Sequence, residues 1–171
     1  MATTYEAPSF THPAINVRGF PGVIERHYSM DLEAVTGDAS YALVADDIFK
    51  YFKLPPNARV SYARVETDVI DDGGTAATLD AIVSNGSTTW VLMNEIPTSQ
   101  TLGSKGDTRD VEDSTVCYQA DTIGNVTTGD GWYAGIRVGT GPTGDAAASA
   151  KIKFTFGYVL SLEDGQTAWP A

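Results

Sequence analysis

Paired carboxylates are the chemically capable residues that recur most along this sequence: Asp46/Asp47, Glu66/Asp68, Asp71/Asp72, Asp107/Asp110 and Glu112/Asp113. General acid–base catalysis needs titratable groups held together with their acidities pushed apart. Glu66 and Asp68 stand two apart in a strand-like stretch, so they project from one face, as paired glycosidase carboxylates do. Arg64 shares that face, and an ion-paired, solvated sheet surface accounts for all three more simply. Asp71-Asp72-Gly73-Gly74 and residues 107–113 offer the clustered oxygens that calcium takes, but neither has the Asp-x-Asp-x-Asp-Gly spacing of a calcium loop. Acidic loops are expected anyway in an acidic chain.

The remaining catalytic residue types are scarce. His12 lies between Thr11 and Pro13 in a proline-rich segment and His27 in a strand-like stretch, so neither has the setting of a Ser-His-Asp constellation. A single cysteine, Cys117, excludes an intrachain disulfide and a thiolate zinc site, and between Val116 and Tyr118 it reads as a small apolar strand residue. The run Gly139-Thr140-Gly141-Pro142-Thr143-Gly144 lacks the Gly-Lys-Ser/Thr ending of a phosphate loop and reads as a hairpin connection. Trp90, Trp132 and the tyrosines have the chemistry of a sugar platform, although aromatics in strands are more often core. Asn85-Gly86-Ser87 and Asn125-Val126-Thr127 match the glycosylation pattern and read as turns. No cofactor or metal is expected.

Composition narrows the class. The 171 residues carry 11 basic and 22 acidic side chains, a formal charge of −11, which gives no overall attraction for nucleic acid or anionic lipid. With 42% hydrophobic residues the chain is too apolar for disorder and long enough to bury a core without staples. No stretch approaches the roughly 18 consecutive apolar residues of a membrane helix. The N-terminus lacks a charged start followed by an apolar run, so the expectation is a chain made and folded in a cytoplasm.

The elements that would position these residues are short. Residues 1–22 hold Pro8, Pro13 and Pro21 with Tyr5, Phe10 and Phe20 between them. That proline density argues against helix, and the aromatics argue for an extended arm lying along a surface. Residues 23–171 are expected to form one body. Alternation marks strands at 23–30, where Arg26 interrupts the apolar side, and at 78–84, 88–94, 114–120 and 132–139. A helical turn over 31–34 closes at Gly37, and a short strand is expected at 40–45. Residues 46–54 fit either a short helix capped by Asp46 or an extended segment, ended by Pro55-Pro56. The strand from 58 to 70 changes phase near Tyr62-Ala63, which points to a bulge or to a strand buried on both faces. Asn85-Gly86 predicts a hairpin, and 97–113 a loop of about 17 residues, a length that is usually functional or mobile. The clearest strand is 151–162, with Ile152, Phe154, Phe156, Tyr158, Leu160 and Leu162 on one side. Seven or eight short strands without a long amphipathic helix predict an all-β, antiparallel sandwich, jelly-roll-like, with an extended N-terminal arm.

One pattern resembles a known family. Ile48-Phe49-Lys50-Tyr51-Phe52-Lys53-Leu54-Pro55-Pro56-Asn57-Ala58-Arg59-Val60 leads into a long strand. Asp71-Asp72-Gly73-Gly74-Thr75-Ala76-Ala77-Thr78-Leu79-Asp80-Ala81-Ile82 and then Asn85-Gly86 follow. Together with the closing strand, this resembles the capsid decoration (cement) proteins of tailed bacteriophages with a jelly-roll body. The resemblance covers roughly residues 40–95 and 150–162, and it transfers no binding residue individually. It implies a non-enzymatic virion protein, a homotrimer on the capsid exterior that bridges major capsid protein subunits and stiffens the shell. An aromatic arm suits such docking, and lattice repetition turns weak contacts into strong attachment. The candidate capsid and self-association residues are Tyr5, Phe10, Phe20 and Trp169, the last two residues from the C-terminal Ala171. Deleting residues 1–22 is expected to abolish attachment without unfolding the body. The alternatives are a tail or head-fibre adhesin with carbohydrate-binding ability, and a carbohydrate-active sandwich using Glu66, Asp68, Trp90 and Trp132.

Overall fold

The computed structural model describes residues 2–11, 23–68, 70, 77–98, 105–107, 117–118, 128–141 and 150–160. Among these, ten strands form two sheets. They are β1 (Thr4–Glu6), β2 (Ile24–Asp31), β3 (Ile48–Lys53), β4 (Ala58–Thr67), β5 (Thr78–Ser84), β6 (Thr89–Pro97), β7 (Lys105–Asp107), β8 (Cys117–Tyr118), β9 (Tyr133–Thr140) and β10 (Lys151–Leu160). One sheet runs β1-β3-β9-β5-β6-β8 and the other β2-β10-β4-β7. With β1 and β8 set aside, early strands pair with late ones, β2 with β10, β3 with β9 and β4 with β7, around the central β5–β6 hairpin. This nested antiparallel winding is jelly-roll-like, as the strand pattern predicted. Only β1 enters parallel, against β3.

The core lies between the sheets. Phe49, Tyr51 and Phe52 from β3 meet Ile152, Phe154 and Phe156 from β10, with the Phe52 and Phe154 rings stacked at 5.9 Å. The alternation of β10 drives this: its apolar residues are buried while Lys151 and Lys153 stay exposed. Within residues 46–54 the chain is extended, with Ile48–Lys53 as strand, because aromatic side chains there fill an inner face. In contrast to β10, β5 is buried on both faces from Leu79 to Ser84.

The predicted irregularities have identifiable causes. On β4 the register skips Ser61, since Tyr62 pairs with Gly157 and Val60 with Tyr158. The Tyr62 ring lies over Gly157, where a Cβ would run into it. The helical turn is α2 (Leu32–Thr36), capped by Asp31, whose carboxylate accepts the Ala34 N–H at 3.2 Å, and closed by Gly37 at φ 72°. The Asn85 side chain accepts the backbone N–H groups of Ser87 and Thr88 and shapes the hairpin.

Three expectations are corrected. Residues 40–45 form no strand; Tyr41 and Leu43 are buried in a turn-flanked extended segment that is not part of either sheet. The 97–113 stretch is not loop throughout, because β7 pairs with β4. The arm is not free of helix: α1 (Pro8–Thr11) starts on Pro8, and a first helical position does not miss the absent N–H.

Candidate interaction surface

The buried carboxylates Asp47 and Asp80 and the half-buried Glu66 are committed to structure. Glu66 pairs with Arg64 and lies 3.0 Å from the Lys153 ammonium, on the outer face of the four-stranded sheet. The hydrogen bond from Lys153, ahead of the charge of Arg64, holds the Glu66 carboxyl below its ordinary acidity range. Asp68, two residues on, is exposed beyond the end of β4. The sheet-surface reading of Arg64 and Glu66 therefore describes them better than a catalytic pair. Asp80 is buried and accepts both Nε (3.1 Å) and Nη2 (2.6 Å) of Arg137, and the Glu95 N–H at 3.0 Å. Glu95 stands in a bulge of β6 at φ 59°, so Asp80 fastens the bulged backbone to β9. Asp47 accepts from the Tyr41 hydroxyl, the Thr3 N–H (2.7 Å) and the Val44 N–H (3.3 Å). Burial, then that hydrogen bond, pushes the Tyr41 phenol far above its ordinary pKa.

Among the described residues no three His, Cys, Asp or Glu side chains are grouped to hold a metal. His27 is exposed on the outer face of β2. His12, residues 71–74 and residues 108–113 lie outside the described residues, as do Phe20 and Trp169. Of Cys117 only the backbone in β8 is described.

Tyr5 and Phe10 are brought together with the body of their own chain. Ile48 N–H donates to Thr3 C=O and Ala7 N–H to Lys50 C=O, both at 2.9 Å, which adds β1 to the edge of β3. The Tyr5 ring stacks on Phe49 at 5.2 Å. Phe10, 8% exposed, packs with Ile82 and Tyr133 on the outer face of the six-stranded sheet. The ammonium groups of Lys50 and Lys53 lie 5.5 and 5.0 Å from its ring centroid, within cation–π range.

Exposed large apolar side chains are few among the described residues: Trp90 at 45%, Val44 at 40% and Leu160 at 38%. Trp90 is thus not the core residue that strand aromatics usually are, whereas Trp132 packs half-buried against the core. Of Arg26, Asp80 and Arg137, only Arg26 was marked in the sequence, as an interruption of an apolar phase.

No protein-family model matches the chain, and no curated protein does. Solved structures match its fold. A chain from the capsid of Ralstonia phage GP4 aligns with a TM-score of 0.58 at 20% identity, over 93% of this chain and 99% of that one. A chain from the capsid asymmetric unit of cyanophage Pam1 aligns with a TM-score of 0.50 at 16% identity, over 88% and 94%. At these identities the likeness is one of fold.

Proposed function

We propose that this chain is a virion structural protein of a tailed phage, a capsid decoration protein that binds the outside of the head and stabilises the shell by bridging major capsid subunits. The observation that carries the reading is the fold likeness, end to end, to two chains found in phage capsids. A shared sandwich alone would say little, because such folds host many functions. Here the likeness spans almost the whole length of this chain and of each of the two capsid chains. The described side chains agree: buried carboxylates are tied to Arg137 or to backbone N–H groups rather than poised over a cleft.

In this reading the protein is not an enzyme. It assembles in the host cytoplasm and acts as a homotrimer. Trimers suit a lattice of three-fold and quasi-three-fold positions, where repeated modest contacts add up to firm attachment. Phe20 and Trp169 remain the aromatic anchors proposed for contact with the shell or with a neighbouring copy. Tyr5 and Phe10 support such contact indirectly, since they fix the arm to the sandwich before it leads on.

The test is the copy number of this chain relative to the major shell protein in gradient-purified particles, by quantitative peptide mass spectrometry. A ratio near one, or a simple lattice fraction of it, is expected. A handful of copies would move the protein to the tail or fibres, and absence would overturn the virion reading.

A further inference from the structure

The two inner faces of the sandwich do not end alike. One end carries the 85–88 hairpin turn, the β3–β4 turn and the start of β9, joined by hydrogen bonds from Leu54 N–H to Trp132 C=O and from Asn57 N–H to Thr128 C=O. Toward this hairpin end the core runs on into side chains that solvent reaches. Trp90 pairs with the buried Val83, and so shares its inward face. Leu160 pairs in the same way with the buried Ala58, and Ile24 with Tyr158. Trp132 and Ile24 are half-buried there, and Trp90 and Leu160 are exposed. Among the described residues the core is therefore open at this end.

Charge is distributed the other way. At the opposite end, beyond β2 and β4 and along the β6 bulge, Glu33, Asp38, Asp46, Asp68 and Glu95 are all exposed, with Lys151 beside them. Among the described residues the hairpin end balances Lys53 and Arg59 against Asp130 and the half-buried Glu25.

We infer that the hairpin end is the face turned toward the shell, and that it seats Trp90 and Leu160 on an apolar, indole-accepting patch of the shell protein. This rests on the decoration reading above. Burying the carboxylate-rich end against a partner would strip hydration from several like charges at once. Burying the near-neutral end removes apolar surface from water at no such cost. Tryptophan is also the side chain most enriched among residues that dominate protein interfaces. With this polarity the acidic end faces solvent, where repulsion keeps neighbouring particles apart.

Hydroxyl-radical footprinting, read by mass spectrometry on the free protein and on the protein bound to heads, tests the orientation. Trp90 and Leu160 are expected to lose most of their labelling on heads while Val44, at the acidic end, keeps its own. Trp90→Ser should weaken binding to undecorated heads by at least about tenfold, and Trp90→Phe should recover much of it, with thermal unfolding of the free protein unchanged. Equal labelling of Trp90 in both states, with Val44 protected, would overturn the orientation and leave the decoration reading standing. Protection of Trp90 in the free protein that grows with concentration would give this end to a second copy and overturn the inference. Failure of the wild-type protein to bind heads at all would overturn the decoration reading itself.

Discussion

The Arg26 guanidinium lies 4.6 Å from the centroid of the Phe52 ring, and so couples the edge strand of one sheet to the core of the other. Its Nη1 donates to the Lys53 carbonyl at 3.0 Å and its Nη2 to the Ser9 carbonyl at 3.4 Å. One side chain thus ties β2, the end of β3 and α1 together. Burial lowers its pKa, yet a guanidinium remains charged at neutral pH. Arg26→Ala is expected to destabilise the fold by about 2–4 kcal/mol, as loss of a buried, hydrogen-bonded charge does. Arg26→Lys should recover only part, since an ammonium cannot span both carbonyls while lying flat on a ring. Urea unfolding with an unchanged m-value checks both.

Removal of the N-terminal segment will not leave the body untouched. Ala7 and Phe10 are buried and Tyr5 is stacked, so residues 2–11 belong to the fold they were expected only to extend. Phe10→Ala should cost about 3–5 kcal/mol, the range of a buried aromatic truncation. Deletion of residues 1–22 should lower Tm by more than Phe10→Ala does, as calorimetry would show. Attachment assays on that deletion therefore need a second variant truncated within residues 12–22, which keeps β1 and α1.

Acid should weaken the outer face of the four-stranded sheet in a defined window. Because Lys153 and Arg64 lower the Glu66 pKa in the folded state, Glu66 contributes stability that is complete above its unfolded value, about 4.5. That contribution fades as pH falls through the lower folded value. Glu66→Gln should therefore be slightly less stable than wild type at pH 7, by under about 1 kcal/mol for so accessible a pair. The difference should shrink below pH 4.5 and in high salt. A stability difference that stays constant across a urea titration series from pH 7 to pH 3 would exclude the ion-pair origin.

Gly157→Ala should be costlier than its size suggests. The new methyl group would meet the Tyr62 ring, at the bulge where β4 skips a register position. A loss of about 1–3 kcal/mol is expected from overpacking. Gly157→Ala combined with Tyr62→Leu should be less destabilised than the sum of the two single variants, a coupling that a double-mutant cycle measures directly.

The sandwich was legible because alternation is a local signal. Ile152, Phe154 and Phe156 declare one buried face of β10, and the slip at Tyr62-Ala63 declared its bulge. Asn85-Gly86 and Gly37 act within their own turns, so they too could be read in place. Tyr41 and Leu43 misled, because burial of a short apolar run follows from tertiary packing and does not require sheet pairing. Arg26, Asp47 and Asp80 were opaque for a related reason. Their partners Phe52, Thr3 and Arg137 lie 26, 44 and 57 positions away, and no pattern of period two encodes such meetings. Trp90 was misjudged because its pairing with Val83 fixes which way it faces but not where the core stops.

The nesting of the strands also sets a timetable. Ile24 finds its partner in Tyr158, and Asp31 in Lys151, so the four-stranded sheet cannot close until β10 has left the ribosome. Pairings this distant in sequence make for slow folding. Each copy therefore completes its sandwich only after β10 has emerged, and β2 waits for its partner until then.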